Sequence, residues 1–147
     1  MPEKRVKAEQ RQAVVGRARG CCEYCRSQAC FAIQPFSVEH IIPRSRGGET
    51  ALDNLALACQ GCNNHKYTKT QARDPVTGDI VSLYNPRRQR WRDHFAWNED
   101  FTIIVGLTRV GRTTVEALQL NREALVNLRR ILYAAGEHPP AEISQSE

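Results

Sequence analysis

Cys59-Gln60-Gly61-Cys62-Asn63-Asn64-His65-Lys66 decides how this chain folds, because it opens with the second of two Cys-x-x-Cys units, the first being Cys22-Glu23-Tyr24-Cys25. Two residues between sulfurs let both bind one ion, and two such units complete a tetrahedral zinc site. The 33 residues between Cys25 and Cys59 exceed the gap of a simple zinc ribbon, as an inserted functional hairpin requires. Within that gap lies Glu39-His40-Ile41-Ile42-Pro43, an acid–histidine pair with no evident structural task. The pattern predicts one structural Zn²⁺ on Cys22, Cys25, Cys59 and Cys62, closed to substrate and serving as a platform for metal-assisted hydrolysis. Cys21 competes with Cys22 at a poorer spacing. Cys30 is left over and is expected as a small buried apolar residue.

Composition narrows the partner. The chain has 147 residues, 41% hydrophobic and 25% charged, which suits an ordinary folded domain rather than a disordered one. Lys and Arg outnumber Asp and Glu 21 to 16, for a net charge of +5. The excess is uneven: residues 1–50 hold nine basic and five acidic groups, residues 101–147 five of each. A positive field on the half that carries the motif favours a polyanion. Met-Pro-Glu-Lys-Arg at the start lacks an apolar signal region, and Phe101–Leu107 is too short to cross a bilayer. The expected location is cytoplasmic, with no membrane partner, where paired cysteines serve as metal ligands more often than as disulfides.

Along the chain, residues 6–19 read as a short basic helix feeding the first Cys-x-x-Cys unit. Phe31–Ile42 reads as a strand ending near Pro43, Arg44–Gly48 as a basic turn, Leu55–Ala58 as a second strand, and Cys62 to about Gln71 as a helix. Ile80–Leu83 and Phe101–Leu107 are further strand candidates. Helices are expected at Thr113–Leu120 and Arg122–Ala135, the second capped by Asn121 and stopped by Gly136, with a frayed tail from Pro139.

Glu39-His40-Ile41-Ile42-Pro43-Arg44-Ser45-Arg46-Gly47-Gly48, then Leu52-Asp53-Asn54-Leu55, then Cys59–Lys66 resemble the HNH family of endonucleases over about residues 17–70. The resemblance implies an α+β fold: a ββα-metal hairpin stapled by the four-cysteine zinc site, with a C-terminal strand and helical extension. Residues 1–73 would form the core and 74–147 an extension packed on it. The implied activity is divalent-metal-dependent hydrolysis of phosphodiester bonds in double-stranded DNA. His40 falls at the general-base position, work suited to a side chain titrating near neutrality. Asn54 falls where an amide fixes the loop and orients the base. Glu39 and Asn63 fall at the ligand positions of a catalytic ion, Mg²⁺, Mn²⁺ or another divalent metal, which suits oxygen donors. Residues 63 and 65 are about 200° apart around a helix, so His65 is expected on a phosphate, with ligation of the ion in place of Asn63 as its second reading.

Arg44, Arg46, Lys66 and Lys69 surround the motif as expected phosphate contacts. Asn85–Arg92 carries four arginines beside Trp91, which reads either as a strand-tracking surface or, with Phe95 and Trp97, as core anchors. His94 and His138 read as surface or packing residues. A non-catalytic zinc-ribbon module that binds nucleic acid is the alternative, but it leaves Glu39-His40, Asn54 and Asn63 unexplained. A zinc deaminase needs His-x-Glu ahead of its cysteines, and the order here is reversed.

Overall fold

The structure, a computed structural model, describes residues 5–141. It is an α+β fold of three small antiparallel hairpins and five α-helices among the described residues, arranged around the four-cysteine cluster. Helix α1 (Ala8–Ala18) turns Val14 and Ala18 into the core and ends at Arg19 in the left-handed conformation. Strands β1 (Ser37–His40) and β2 (Leu55–Ala58) pair antiparallel with Glu39 opposite Ala56 and His40 opposite Leu55. All four residues of β2 are buried, which explains why Leu-Ala-Leu-Ala alternates small and large rather than polar and apolar. Helix α2 (Gln60–Lys66) follows at once, capped by the Cys59 sulfur, which accepts from the Cys62 N–H.

Several expected boundaries shift. The strand foreseen over Phe31–Ile42 shrinks to Ser37–His40, because Ala29–Phe31 forms a 3-10 turn instead. The helix foreseen to about Gln71 stops at Lys66, where Tyr67 takes a positive φ that no right-handed helix can continue. Gln71–Arg73 then forms β3, paired with β4 (Ile80–Ser82), in place of a helix end. A single turn of helix, α3 (Trp91–His94), leads into β5 (Phe95–Trp97), which pairs with β6 (Ile104–Gly106). The Phe101–Leu107 strand is thus confined to its second half.

Helix α4 (Arg109–Leu118) starts four residues before the expected Thr113, because the Thr108 hydroxyl accepts the Gly111 N–H and caps it there. Asn121 is not the cap of α5 (Glu123–Ala134). Arg122 holds that place, and the Asn121 amide instead exchanges hydrogen bonds with both backbone groups of Ile104, at 2.7 and 2.9 Å. Cys30, expected inside, is exposed. His138 is buried as a packing residue, edge-on to Trp97 and bonded through Nε2 to the Phe101 carbonyl. The foreseen frayed tail falls largely on residues 142–147, outside the described residues.

The first Cys-x-x-Cys turn is also the hub that joins later elements. Glu23 pairs with Arg87 and accepts the Leu57 N–H, while Trp91 Nε1 donates to the Tyr24 carbonyl at 2.9 Å. Trp91 and Phe95 are core anchors, 7% and 1% exposed. The β3–β4 hairpin is tied to α4 by a two-pronged pair, Arg112 Nε and Nη2 to the two oxygens of Asp74 at 2.7 and 2.8 Å. Arg112 holds the Asp74 carboxyl well below the usual carboxylate range. A depressed carboxyl adds stability above its unfolded pKa, about 3.9, and the gain drains away as pH falls further. Asp74→Asn should therefore lower the melting temperature at pH 7, and the gap from wild type should narrow steadily below pH 4 in thermal melts.

Candidate functional site

The four expected zinc ligands converge. The sulfurs of Cys22, Cys25, Cys59 and Cys62 lie within 4.8 Å of one another, all four residues buried. Cys25 and Cys59 Sγ are 3.6 Å apart, near the ~3.8 Å between sulfurs in a tetrahedral site with Zn–S bonds of about 2.3 Å. Four soft thiols in that geometry fit Zn²⁺, and the surrounding donors fit thiolates. The Cys25 and Cys62 amides point at Cys22 and Cys59 Sγ at 3.5 and 3.4 Å. Arg122 donates to Cys59 Sγ at 3.2 Å and to Cys62 Sγ at 3.6 Å, laying its guanidinium over Gly61. A Cβ on Gly61 would stand 2.4 Å from Arg122 Nη2, so the missing side chain makes room for that cation. Cys21, buried beside the cluster, is not part of it.

The β1–β2 loop is built around Asn54. Its Oδ1 accepts the Ile42 N–H at 2.9 Å, and its Nδ2 donates to the carbonyls of Ile42 and Glu49 at 3.0 and 2.9 Å. Ile41 N–H donates to the Asn54 carbonyl at 2.9 Å, extending the β1–β2 ladder by one rung. Gly48 packs so closely that a Cβ there would stand 1.7 Å from the Ile42 carbonyl oxygen. This clamp holds the exit of β1 two residues after His40. The His40 ring is half-buried and its Nε2 meets the Thr50 hydroxyl at 2.8 Å. Burial, and then the Arg44 charge, lower its pKa and favour the neutral imidazole.

Glu39, one residue earlier on the strand, points the other way and into the interior, 6% exposed. Its Oε2 accepts the Tyr24 hydroxyl, and its Oε1 lies 3.1 Å from Lys66 Nζ. Burial raises the Glu39 carboxyl pKa against the opposing pull of Lys66 and Tyr24. Burial, then the Glu39 charge, raise the Tyr24 phenol well above its ordinary value, so it remains a donor. Lys66, expected on a phosphate, is instead 2% exposed and also donates to the Ile41 carbonyl at 2.8 Å. The reason is electrostatic: a buried carboxylate demands a paired cation, and the last residue of α2 is the one within reach.

Asn63 sits half-buried in α2, and its side-chain amide has no hydrogen-bond partner among the described residues. His65 is exposed on the same helix, and Arg44 and Arg46 are exposed in the 3-10 turn after β1. Lys69 turns back to the His65 carbonyl at 3.1 Å. Tyr24 and Arg122 are the site residues that spacing alone does not reveal. Tyr24 lies inside a Cys-x-x-Cys unit, where it reads as filler, and Arg122 lies 60 residues beyond Cys62.

The succession of Cys-x-x-Cys turn, hairpin, clamped loop and cysteine-capped helix is now in place, and it coincides with a known sequence pattern. Residues 22–69 match the HNH endonuclease family. The matched stretch runs from Cys22 to just past α2 and contains the four clustered cysteines, the β1–β2 hairpin and the Asn54 loop, while Arg122 lies outside it. No curated protein and no solved structure matches the chain. Among the described residues, no helix is long and apolar enough to cross a membrane.

Proposed function

We propose that the chain is a divalent-metal-dependent endonuclease that hydrolyses phosphodiester bonds in double-stranded DNA from a cytoplasmic location. The single observation behind this reading is that the Asn54 clamp orients a neutral-leaning His40 beside an HNH hairpin stapled by four thiols. His40 takes the proton of the attacking water, and the lowered pKa keeps its lone pair free near neutral pH. Asn54 acts through the loop rather than on the substrate. Arg44, Arg46 and His65 face outward, where they contact phosphates and hold the strand in register.

Glu39 and Asn63 would hold the catalytic ion. Their donors fit a hard cation in chemistry: the Asn63 amide has no competing partner, and a carboxylate offers about four acceptor sites, of which Tyr24 and Lys66 take two. A bound Mg²⁺ or Mn²⁺ supplies positive charge for the phosphoryl and leaving oxygens. Lys66 fixes Glu39 through its buried ammonium, and a metal ion would share or displace that cation to reach the carboxylate.

Supercoiled-plasmid cleavage with titrated Mg²⁺ and Mn²⁺ tests the reading, and no cleavage with either ion would sink it. Within the same assay, Asn63→Ala should raise the metal concentration for half-maximal activity by ~10-fold or more, the loss expected when a site surrenders a ligand or its support. His65→Ala should leave that concentration unchanged and weaken DNA binding. A metal defect confined to His65→Ala would exchange their roles.

A further inference from the structure

Helix α2 ends in a tight turn built on an unexpected residue. The Lys69 N–H donates to the Lys66 carbonyl at 2.9 Å, closing a four-residue turn whose first central residue is Tyr67. Tyr67 stands at φ 50° and ψ −118°, the dihedrals of that position in a type II′ turn, which glycine ordinarily fills. A bulky side chain at these angles is a true outlier. Such strain persists only where the surroundings enforce it, and it concentrates at sites that use it.

The surroundings here are the candidate metal centre. Lys66, 2% exposed, is fixed between the Glu39 carboxylate at 3.1 Å and the Ile41 carbonyl at 2.8 Å. The Tyr67 N–H donates to the carbonyl of Asn63, the other expected ligand, at 2.9 Å. Those bonds fix the backbone of the turn but give no reason for its side chain, since glycine would meet the same dihedrals without strain. Packing gives none either. The Tyr67 ring is 76% exposed and makes no hydrogen bond, ion pair or ring contact among the described residues. A single exposed tyrosine is ordinary on a surface. One that holds a glycine position, next to the lysine that fixes Glu39, is not. His65 and Lys69, both exposed, flank it two residues to either side.

We propose that Tyr67 is a base-stacking residue, its ring taking the face of a nucleobase in the strand held at the cutting centre. Every base has a π-face, so one bare aromatic ring serves any sequence. His65 and Lys69 then meet the phosphates on either side of that base. Stacking requires a base that has left its neighbours, so the residue favours a strand that is locally unpaired at the cut. The choice of a nucleobase as the ligand rests on the nuclease reading; the strained turn and the bare ring stand without it.

The zinc-loaded protein, without added divalent metal, is titrated by fluorescence anisotropy against a labelled ten-nucleotide single strand of mixed sequence. An abasic strand of the same length and charge is the control. Wild type and Tyr67→Phe should bind the base-bearing strand alike, with Tyr67→Gly ~10-fold weaker. All three should bind the abasic strand equally. Tyr67→Gly should also melt at a higher temperature than wild type, because glycine relieves the strain, so lost affinity cannot be lost fold. Unchanged affinity in Tyr67→Gly, or a loss in Tyr67→Phe as large as in Tyr67→Gly, would overturn the proposal. So would an equal loss on the abasic strand, or a melting temperature that falls along with affinity. Plasmid cleavage is scored separately. Cleavage by wild type with strand binding indifferent to Tyr67 defeats the stacking role alone, and Tyr67-dependent binding without cleavage defeats the nuclease reading alone.

Discussion

A His40→Ala protein should keep its zinc and its melting temperature while plasmid cleavage falls by ~10²-fold or more, the usual scale for losing a general base. The fold should tolerate the change because the half-buried ring makes one side-chain hydrogen bond, to Thr50, and the Asn54 clamp runs through Ile42 and Glu49 instead. Removing the imidazole leaves a strand end of unchanged shape without a proton acceptor facing the loop. The measurement is nicking rate at saturating metal, on protein whose zinc content and thermal melt match wild type. An undiminished rate would remove His40 from the chemistry. A fall accompanied by loss of zinc would report on folding instead.

Stripping the zinc should have the largest structural effect. Binding to structural sites of this type is worth roughly 10–16 kcal/mol, whereas domains as a whole are stable by about 5–15 kcal/mol, so the ion decides whether the core folds. The geometry gives the same answer. The cluster joins the turn after α1 to the start of α2, and Cys59 is at once ligand and helix cap. Without the ion, Arg122 is left packed on buried thiols in place of anions. One zinc per chain is expected by elemental analysis, with collapse of the far-ultraviolet spectrum on treatment with a strong chelator. Cys59→Ser should behave like the stripped protein, whereas Cys30→Ser, on an exposed site outside the cluster, should retain full zinc. A folded protein free of zinc would refute the assignment.

How much of this was legible in the sequence depended on distance along the chain. The cysteine pairs, the β1–β2 hairpin and the short helix after Cys59 announce themselves through local spacing and turn residues. Asn54 was placed at the loop by the resemblance to the HNH family, and the residues it clamps lie within twelve positions of it. Lys66 was misread because an exposed and a buried lysine look alike in sequence; only the Glu39 carboxylate turned inward makes burial affordable. Asn121 looked like a helix cap since asparagine before a helix usually is one, yet the unpaired backbone of Ile104 claimed it first. Arg122 carried no local signal at all. Its role comes from the second thiol pair, 60 or more residues away.

Arg122 also sets an order on the making of the molecule. All four clustered thiols are contained in the first 62 residues, so a growing chain presents the full set long before the arginine leaves the ribosome. A divalent metal captured there by four thiolates would form a doubly negative centre with nothing laid over it. The cover arrives with the Arg122 guanidinium, from the start of α5, the last helix described. A transcript cut short before that point would yield a loaded but bare centre, open to competing metals and oxidants. Synthesis past Arg122 is what would turn an early metal trap into a covered, inert staple.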